Sequence, residues 1–517
     1  MDSDPQGRFD LRGPFTSGTA IVLYMATAEF LLHVLTATRY GIFRDEMYYL
    51  ACSQHPAWGY VDHPPMNVFI AWLARHIFGD SLLGLRLFPA IAGAALVWIT
   101  GQLAREIGGG RFAQVLAALV IIPVPIYLLM QHWLTMNAFE PLLWMGCVWC
   151  VVRAINLNEP RYLFWFGVLT GIGMETKYSI AFLVLGILLG LLASPERHFF
   201  KSRWLWLGML AAFILALPNF LWQLQHDFPF LELLHNIRMS NRDIIRGPVS
   251  FLADQAAMIN PILAPLALLG LISLLFDRSG RRYRPLGWAA IVVVTSFMVL
   301  KGKNYYVAPI YPILFAAGSV AFERLTSLRF AWGRVAYVLL IVASGALLLP
   351  IVCPILSPEH YLRYQAALGI KAPVAERQSN GPLPQYFADE FGWEEMVQQV
   401  AHVYDSLSPA ERGRAAIFCN SWGEAAAVDF FGPKYGLPRA ISNHNNYWYW
   451  GPRDYTGDMV IVLGSDGRGD RESFQSVEAT AEVEHPYSRR DEHFTIWLCR
   501  GPKKNLRELW PQLKKFD

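Results

Sequence analysis

The sequence is poor in charge and in cysteine for its length. Only 16% of its 517 residues are charged and 54% are hydrophobic, whereas a soluble domain carries about 25% charged residues. This shortage argues against a soluble protein, and a net charge of +3 is too small to indicate nucleic-acid binding. The six cysteines are scattered. Cys419 and Cys499 lie in the polar C-terminal part, and their spacing does not decide whether they pair.

Three further features are missing. The apolar run after the polar leader is longer than a signal-peptide core and has no small-residue cleavage site after it, so we expect a retained signal anchor. The stretch GSDGRGD, residues 464–470, lacks the glycine spacing of a dinucleotide-binding loop. No repeated halves are visible in the sequence, although many transporters have them.

Long apolar runs dominate residues 17–353. Their length, about 17–22 residues, is that needed to cross a bilayer. They predict a polytopic α-helical membrane protein with about eleven transmembrane helices. The predicted spans are 17–38, 82–104, 112–130, 138–155, 162–175, 178–194, 204–222, 252–276, 286–300, 305–322 and 333–353.

Arginine and lysine are concentrated in alternate short loops, at 105–111, 153–161, 197–203, 278–284 and 324–334. Cytoplasmic loops carry this excess, so we place the N-terminus in the cytoplasm and the C-terminus outside. A bacterial plasma (inner) membrane fits the compact loops and the lack of an organelle signal. The predicted parts are a cytoplasmic segment 1–16, a transmembrane domain 17–353 with an outer catalytic loop 39–81, and an extracytoplasmic domain 354–517.

The C-terminal part predicts a small α/β domain. A helical period predicts a helix over 389–407 with Asp389 as its cap. RAAIFCNSW, DMVIVLGS and HFTIWLCR are short β-rich runs. NHNNYWYWGP, residues 443–452, is either a loop packed on this domain or a platform for a sugar ring or lipid headgroup. In the second interpretation, Tyr447 and Trp448 contact the acceptor.

The outer loop 39–81 combines titratable side chains with an amphipathic segment. Its first half, RDEMYYLACSQHPAWGYVDHPP, contains the acidic and histidine residues Asp45, Glu46, His55, Asp62 and His63. Its second half, MNVFIAWLARHIFG, has apolar residues at helical spacing. We expect this second half to form a helix that lies in the membrane interface.

Other polar and charged residues fall at the same membrane face in this topology. They are Arg86, Asn137, Glu140, Glu175, Lys177, Lys301 and Lys303. Ionisable residues at a membrane edge are functional candidates. A transferase using a polyprenyl-phosphate sugar needs cations to stabilise the departing phosphate and a carboxylate to deprotonate the acceptor. Each residue also has an ordinary explanation, such as a surface ion pair, a span anchor, a turn residue or a snorkelling lysine.

Four segments, in order, resemble the protein O-mannosyltransferase-like (PMT-like) branch of the GT-C membrane glycosyltransferases. That branch includes protein mannosyltransferases and the lipid A aminoarabinose transferase. The segments are FRDEMYYL with the later YVDHPPM, GDSLLGLRLFPAIAGA, GIGMETKYS and KNYYVAPIYPILFAAG. The resemblance covers about residues 17–353.

The resemblance implies a GT-C fold and a polyprenyl-phosphate-linked sugar donor. It gives Asp45 the role of general base, with Glu46 as the second candidate. Phosphate contacts are expected from Arg86, Lys177, Lys301 and Lys303, beside Tyr305 and Tyr306. Supporting or acceptor-side positions are His55, Asp62, His63, Asn137 and Glu140.

One position departs from the family pattern. Many relatives have an acidic residue at the outer start of the fourth span, where this chain has Asn137, with Glu140 one turn later. Members of the family differ in their use of a divalent metal ion. The candidate ligands here are Glu140, Glu175 and His63, and their spacing does not establish a site.

The predicted function is transfer of a hexose or pentose from the lipid-linked donor to an acceptor hydroxyl on the outer face. The main alternative is a transporter or flippase of lipid-linked sugars. This hypothesis accounts less well for the acidic pair in a long outer loop and for a soluble outer domain. The acceptor (protein, lipid A, wall glycan or another lipid-linked glycan), the sugar and the oligomeric state stay open.

Overall fold

The computed structural model describes residues 16–240, 242–278, 280–326, 330–370 and 381–517. The segment predicted for 1–16 lies almost wholly outside the described residues, as does part of the basic loop 324–334. The described chain forms a helical bundle followed by a smaller unit built on one sheet. This combination was predicted from the sequence and is confirmed.

The helices of the bundle and of its loops run in chain order from α1 to α16. They are α1 (Gly18–Thr36), α2 (Arg44–Ser53), α3 (Met66–Phe78), α4 (Leu82–Glu106), α5 (Arg111–Leu119), α6 (Pro125–Met130), α7 (Met136–Leu157), α8 (Tyr162–Met174), α9 (Ile180–Leu192), α10 (Arg203–Gln225), α11 (Pro229–Met239), α12 (Pro248–Met258), α13 (Ala264–Phe276), α14 (Arg284–Val299), α15 (Tyr311–Leu325) and α16 (Ala331–Val352).

Six described helical segments are long and apolar enough to cross a membrane. They are α1, α4, α7, α10, α16 and the segment Asn304–Leu325, which contains α15. The other predicted spans contain shorter helices. Two are broken, 112–130 into α5 and α6 and 252–276 into α12 and α13. Pro123 and Pro261 lie in these gaps and cannot donate a backbone hydrogen bond. The multi-pass architecture is confirmed, and the count of eleven stays a prediction.

Glycine allows the helices to approach closely at two crossings. A Cβ atom on Gly167 of α8 would lie 2.0 Å from the carbonyl oxygen of Gly208 in α10. One on Gly270 of α13 would lie 2.0 Å from the carbonyl oxygen of Leu314 in α15. Small residues at helix crossings are typical of membrane bundles, because close backbone contact replaces the hydrophobic effect there.

The basic loops meet at one end of the bundle. Arg153 at the end of α7 pairs with Glu106 at the end of α4, at 2.9 Å. The Tyr283 hydroxyl, before α14, donates to Asn156 Oδ1 at 2.6 Å. Three loops predicted to be cytoplasmic are thus neighbours in space, so the loop 39–81 lies at the opposite end.

The amphipathic segment of the outer loop forms the predicted helix, α3. Val68 and Ala71 of this helix are buried, whereas Phe69, Trp72 and Ile77 are exposed. The exposed face is therefore apolar and aromatic, as expected of a helix in a membrane interface.

The C-terminal unit contains eight further α-helices and five strands among the described residues. They are α17 (Pro358–Leu368), α18 (Gln385–Ala388), α19 (Trp393–Asp405), α20 (Pro409–Arg412), β1 (Ala415–Cys419), α21 (Trp422–Phe431), β2 (Ile441–Ser442), α22 (Asn446–Trp450), β3 (Met459–Leu463), α23 (Arg468–Ser473), β4 (Phe474–Val483), β5 (Phe494–Pro502) and α24 (Leu506–Leu509). The sheet order is β2-β1-β3-β5-β4, with β1, β2 and β3 parallel and β5 antiparallel to both neighbours.

The three strands predicted from the sequence are β1, β3 and β5, whereas β2 and β4 were not predicted. Strand β4 was missed because it is mostly exposed and polar. Asp389 does not cap α19, which begins at Trp393 after Gly392 at φ 86°. Cys419 and Cys499 are both free and buried, and they belong to apolar clusters on opposite faces of the sheet.

Candidate functional site

A buried ion pair joins the second span to the outer loop. Arg86 Nη2 of α4 lies 2.8 Å from Glu46 Oε2 of α2, and Arg86 Nε donates to Glu46 Oε1 at 3.1 Å. The same guanidinium donates to the carbonyl oxygens of Ala37 at 2.7 Å and Gly41 at 2.9 Å. Arg86 thereby ties together the chain that leaves α1 and the start of α2.

Two further partners complete the surroundings of Arg86. Its Nη1 donates to His132 Nε2 at 3.2 Å, and its Nη2 lies 3.1 Å from Glu390 Oε2 of the C-terminal unit. These contacts use the donors of the guanidinium, and its side chain is fully buried. A phosphate contact of Arg86, as expected from the sequence, would require some of these bonds to be broken.

The carboxyl group of Glu390, which belongs to this cluster, has a shifted pKa. Burial raises the pKa of Glu390 to about 8, and the positive charge of Arg86 opposes this shift. Glu390 therefore binds a proton at pH values where an exposed glutamate is ionised.

Both carboxylate oxygens of Glu46 accept hydrogen bonds, whereas the side chain of its neighbour Asp45 is partly exposed. Besides Arg86, Glu46 accepts from the backbone N–H groups of Phe43 and Leu134, each at 2.9 Å. The Asp45 side chain is 37% exposed, with Arg44 Nε at 3.9 Å from its Oδ1. Asp45 also lies in the first turn of α2, where the helix dipole favours the ionised carboxylate.

A second buried charge pair lies where α7 meets the turn between α8 and α9. Lys177 Nζ donates to Asn137 Oδ1 and Glu140 Oε2, both at 2.8 Å. Its ammonium also lies 4.4 Å from the ring centroid of Tyr306 and 5.7 Å from that of Tyr305. The structure thus brings together five residues that the sequence assigned to the site from three distant segments.

Tyr49 lies one turn after Asp45 on α2. The negative charges of Asp45 and Asp62 add to the effect of burial in raising the pKa of the Tyr49 hydroxyl. The Leu134 N–H donates to Glu46 at 2.9 Å, so the start of α2 also lies beside the chain that enters α7, where Asn137 is.

The start of α3 is fixed to the turn that holds Lys177. The Met66 N–H donates to the carbonyl oxygen of Glu175 at 2.9 Å. Asn67 Nδ2 donates to the carbonyl oxygen of Thr176 at 3.3 Å. The outer loop and the METKY turn thus form one continuous wall.

His63 stands inside a cage of three tyrosine rings, from Tyr48, Tyr49 and Tyr60. Its Nδ1 contacts the carbonyl oxygen of Pro64 at 3.0 Å, and its Nε2 lies 3.7 Å from Asp62 Oδ1. Burial lowers the pKa of His63, against the pull of Asp62. A neutral, enclosed imidazole shapes the loop.

The 443–452 segment contacts the outer loop. Asn446 Oδ1 accepts from the Val61 N–H at 3.0 Å, and Asn446 Nδ2 donates to Asp62 Oδ1 at 3.2 Å and to the Tyr48 hydroxyl. His55 stacks on Trp450 with ring centroids 4.2 Å apart. Burial, with Arg439 and Arg453 nearby, lowers the pKa of His55 to about 4.

The two aromatic residues that the platform interpretation invoked are engaged within the protein. Tyr447 is buried and its hydroxyl donates to Asp429 Oδ2 at 3.0 Å. Trp448 Nε1 donates to the carbonyl oxygen of Trp510 at 3.0 Å. These contacts agree with the other interpretation, in which the segment packs on its own domain.

The remaining lysines differ in their surroundings. Lys303 Nζ lies 3.5 Å from Asp243 Oδ1, and its chain neighbours Tyr305 and Tyr306 face Lys177. Lys301 is exposed and has a positive φ of 56°. Lys303 therefore adjoins the lysine cluster in the chain, whereas within the described residues no contact of Lys301 with that cluster is recorded.

The candidate metal ligands are not gathered into one group. In the described residues, no three His, Cys, Asp or Glu side chains are arranged to hold a metal ion. Glu140 is occupied by Lys177 and by the Ser179 hydroxyl. His63 is enclosed by tyrosines.

Four residues of the site were missed in the sequence. They are His132, Asp389, Glu390 and Asn446. His132 and Asn446 sit in stretches rich in aromatics and amides, which gave no signal of a specific partner. Asp389 and Glu390 were read as the start of a helix, because an acidic pair before a helical period is typical of a helix N-terminus.

Residues 62–222 match the family described as dolichyl-phosphate-mannose-protein mannosyltransferase. The lipid A galacturonosyltransferase RgtD of Rhizobium johnstonii is 25% identical over 287 residues, which are 54% of this chain and 59% of that protein. An uncharacterized protein of Aquifex aeolicus is 24% identical over 279 residues, 49% of this chain and 52% of that protein. The chain thus spans little more than half the length of the curated relatives it matches.

The fold is shared with a solved structure. ArnT from Cupriavidus metallidurans, crystallised with undecaprenyl phosphate, superposes with a TM-score of 0.62 at 13% identity, covering 93% of this chain and 98% of that one. The predicted GT-C fold is therefore confirmed. The family match and the relatives also confirm the resemblance to PMT-like glycosyltransferases of GT-C type.

Proposed function

We propose that this PMT-like protein moves a sugar from a polyprenyl-phosphate-linked donor to an acceptor hydroxyl on the outer face of a bacterial plasma (inner) membrane. The observation that carries the proposal is the contrast within the acidic pair. Glu46 is locked by Arg86, while Asp45 stays partly exposed one turn before Tyr49, at the end of α2 that adjoins the start of α7.

Asp45 is the general base in this proposal. Its carboxylate takes the proton of the acceptor hydroxyl, and the acceptor oxygen then attacks the anomeric carbon of the donor sugar. The bond from that carbon to the phosphate oxygen breaks, and the lipid phosphate leaves with the electron pair. A single in-line displacement of this kind inverts the anomeric centre.

Lys177 and Lys303 are the cations that stabilise the departing phosphate. Lys177 is held by Asn137, Glu140 and the Tyr306 ring, so its position is set before the donor binds, and preorganised charge is the form that stabilises a transition state best. We assign Arg86 a different role, because its donors are used within the protein.

The relatives supply the chemical classes of substrate. ArnT was crystallised with undecaprenyl phosphate, which is a polyprenyl phosphate, and RgtD is named as a transferase acting on lipid A. We propose a polyprenyl phosphate as the lipid of the donor. The candidate acceptors are lipid A or another glycolipid, a wall glycan and a protein.

The orientation rests on charge. The basic loops meet at one end of the bundle, and the positive-inside rule assigns that end to the cytoplasm. The N-terminal segment 1–16 is then cytoplasmic, and the 354–517 domain and Asp45 are outside.

The test is transfer from a panel of radiolabelled polyprenyl-phosphate sugars by membranes carrying the wild type or Asp45→Asn. Transfer should fall about 10²–10⁴-fold in the variant, the usual range for loss of a general base. Asp80→Asn is the matched control, since Asp80 is exposed in the same loop and pairs with Arg75. It should retain wild-type transfer.

Two results would contradict the proposal. Equal transfer by wild type and Asp45→Asn would move the base to another residue. No transfer from any donor, with the protein intact in the membrane, would favour a transporter, and lipid-flipping assays would then be the next measurement.

A further inference from the structure

Two adjacent acidic residues of the C-terminal unit approach Asp45 from both sides: Asp389 contacts Arg44, and Glu390 contacts Arg86, the partner of Glu46. The Arg44 N–H donates to the carbonyl oxygen of Asp389 at 3.1 Å, and Arg44 Nη2 lies 4.0 Å from Asp389 Oδ2. Glu390 Oε2 lies 3.1 Å from Arg86 Nη2, and that nitrogen also binds Glu46. The base candidate thus stands between two anchored neighbours.

These contacts are closed to solvent. The side chains of Asp389 and Glu390 are buried. Asp389 is itself held by Arg489 Nε at 2.7 Å from its Oδ1. Removal of an acceptor that is buried against an arginine leaves the guanidinium without a partner and costs stability, so these contacts are not incidental.

The backbones also approach closely at this junction. A Cβ atom on Gly41 would lie 2.1 Å from the carbonyl oxygen of Glu390. The chain that enters α2 therefore packs directly on the 389–390 backbone, and a side chain at position 41 would push them apart.

Other contacts already join the C-terminal unit to the outer loop. Asn446 binds Val61 and Asp62, and Trp450 stacks on His55. Val61, Asp62 and His55 lie beyond the C-terminal end of α2, and Tyr48, whose hydroxyl also binds Asn446, lies in its middle. The 389–390 pair instead acts at the N-terminal end, where Asp45 is, so docking alone does not require it.

We propose that Asp389 and Glu390 are positioning residues, through which the C-terminal domain fixes the carboxylate of Asp45 for catalysis. The proposal rests on the proposed function, in which Asp45 is the base. It gives the extracytoplasmic domain a part in the chemistry, through Arg44 on one side of Asp45 and the Arg86–Glu46 pair on the other.

The test is a double-mutant cycle between Glu390→Ala and Asp45→Asn, with kcat and the KM for the donor measured for each variant. Glu390→Ala alone should lower kcat at least 10-fold with a change of less than 2-fold in KM, because misplacing a catalytic group affects turnover. In the Asp45→Asn background, Glu390→Ala should change the residual kcat less than 2-fold, because the residue acts only through Asp45.

Two further variants complete the design. Glu390→Gln keeps an oxygen that can accept from Arg86, so its kcat should lie between those of the wild type and Glu390→Ala. It also replaces Glu390→Ala in the cycle if the alanine variant does not fold. Glu395→Ala is the matched control, an exposed glutamate on α19, and should behave as wild type.

The outcomes separate the two proposals. A loss on Glu390→Ala that is as large in the Asp45→Asn background as in the wild type would overturn the positioning role and leave the base in place. An unchanged kcat in folded Glu390→Ala would do the same. Full transfer by Asp45→Asn alone would overturn the base, and this inference with it.

Discussion

Lys177 Nζ lies 2.8 Å from Glu140 Oε2, and both side chains are buried. The pair joins the N-terminal end of α7 to the turn before α9. Glu140 stands one turn after Asn137, and both accept from the same ammonium. The carboxylate of Glu140 therefore balances the charge of Lys177 when no phosphate is bound, so the buried ammonium always has a counterion.

The Lys177–Glu140 pair should be strongly coupled in stability. Lys177→Met should destabilise the protein by about 3–5 kcal/mol, because Glu140 is left as a buried carboxylate without a cation. The double variant Lys177→Met/Glu140→Gln should regain most of this loss. Thermal unfolding in detergent measures both, with Arg161→Met in the exposed Arg161–Glu159 pair as control, expected within about 0.5 kcal/mol of wild type. Equal stabilities of the single and double variants would contradict the coupling.

Asn446 should be needed for docking of the C-terminal domain on the outer loop. Asn446→Leu removes the acceptor of the buried Val61 N–H and a donor to Asp62, and we expect a loss of about 1–3 kcal/mol in the free energy of unfolding. Gln475→Leu makes the same chemical change on the exposed edge strand β4. A melting temperature lowered equally by both variants would show that the effect is not specific to the docking contact.

The stability of the protein should depend on pH through Glu390. Its pKa is raised to about 8 by burial, whereas a glutamate in an unfolded chain titrates near pH 4.3, an approximate reference value. Between about pH 4.3 and 8 the folded state binds more protons than the unfolded state, so this group's contribution to stability falls as pH rises.

Glu390→Gln should therefore flatten this dependence. Melting temperatures of wild type and variant are compared from about pH 6 to 8.5, and the wild type should lose more on the alkaline side. Parallel curves would mean that Glu390 has the same protonation in the folded and unfolded states.

Helix α3 should lie against lipid through its aromatic face. A nitroxide on Trp72→Cys should be more accessible to oxygen than to a polar nickel reagent, because Trp72 is exposed on the apolar face. The six native cysteines are buried, so the introduced thiol reacts first. The same label on Asp80→Cys should show the opposite preference. A label at position 72 that prefers the polar reagent would place this face in water.

Local pattern decided much of the architecture. The lengths of the apolar runs indicated a multi-pass protein, and the spacing in MNVFIAWLARHIFG predicted α3. β1, β3 and β5 were found because each is a short buried apolar run. The edge strand β4 was not predicted, because its exposed residues show no buried apolar run and its strand conformation depends on pairing with β5.

The sequence by itself thus determined the class of protein, its main elements and a short set of ionisable residues near one membrane face. Only the tertiary structure decided how those residues are used. Arg86 was expected to hold phosphate, yet it binds Glu46, 40 residues away, and Glu390, 304 residues away. A sequence pattern shows where a charged residue lies in or beside an apolar segment. The identity of its partner depends on which distant segments pack together, and that packing is fixed only by the complete fold.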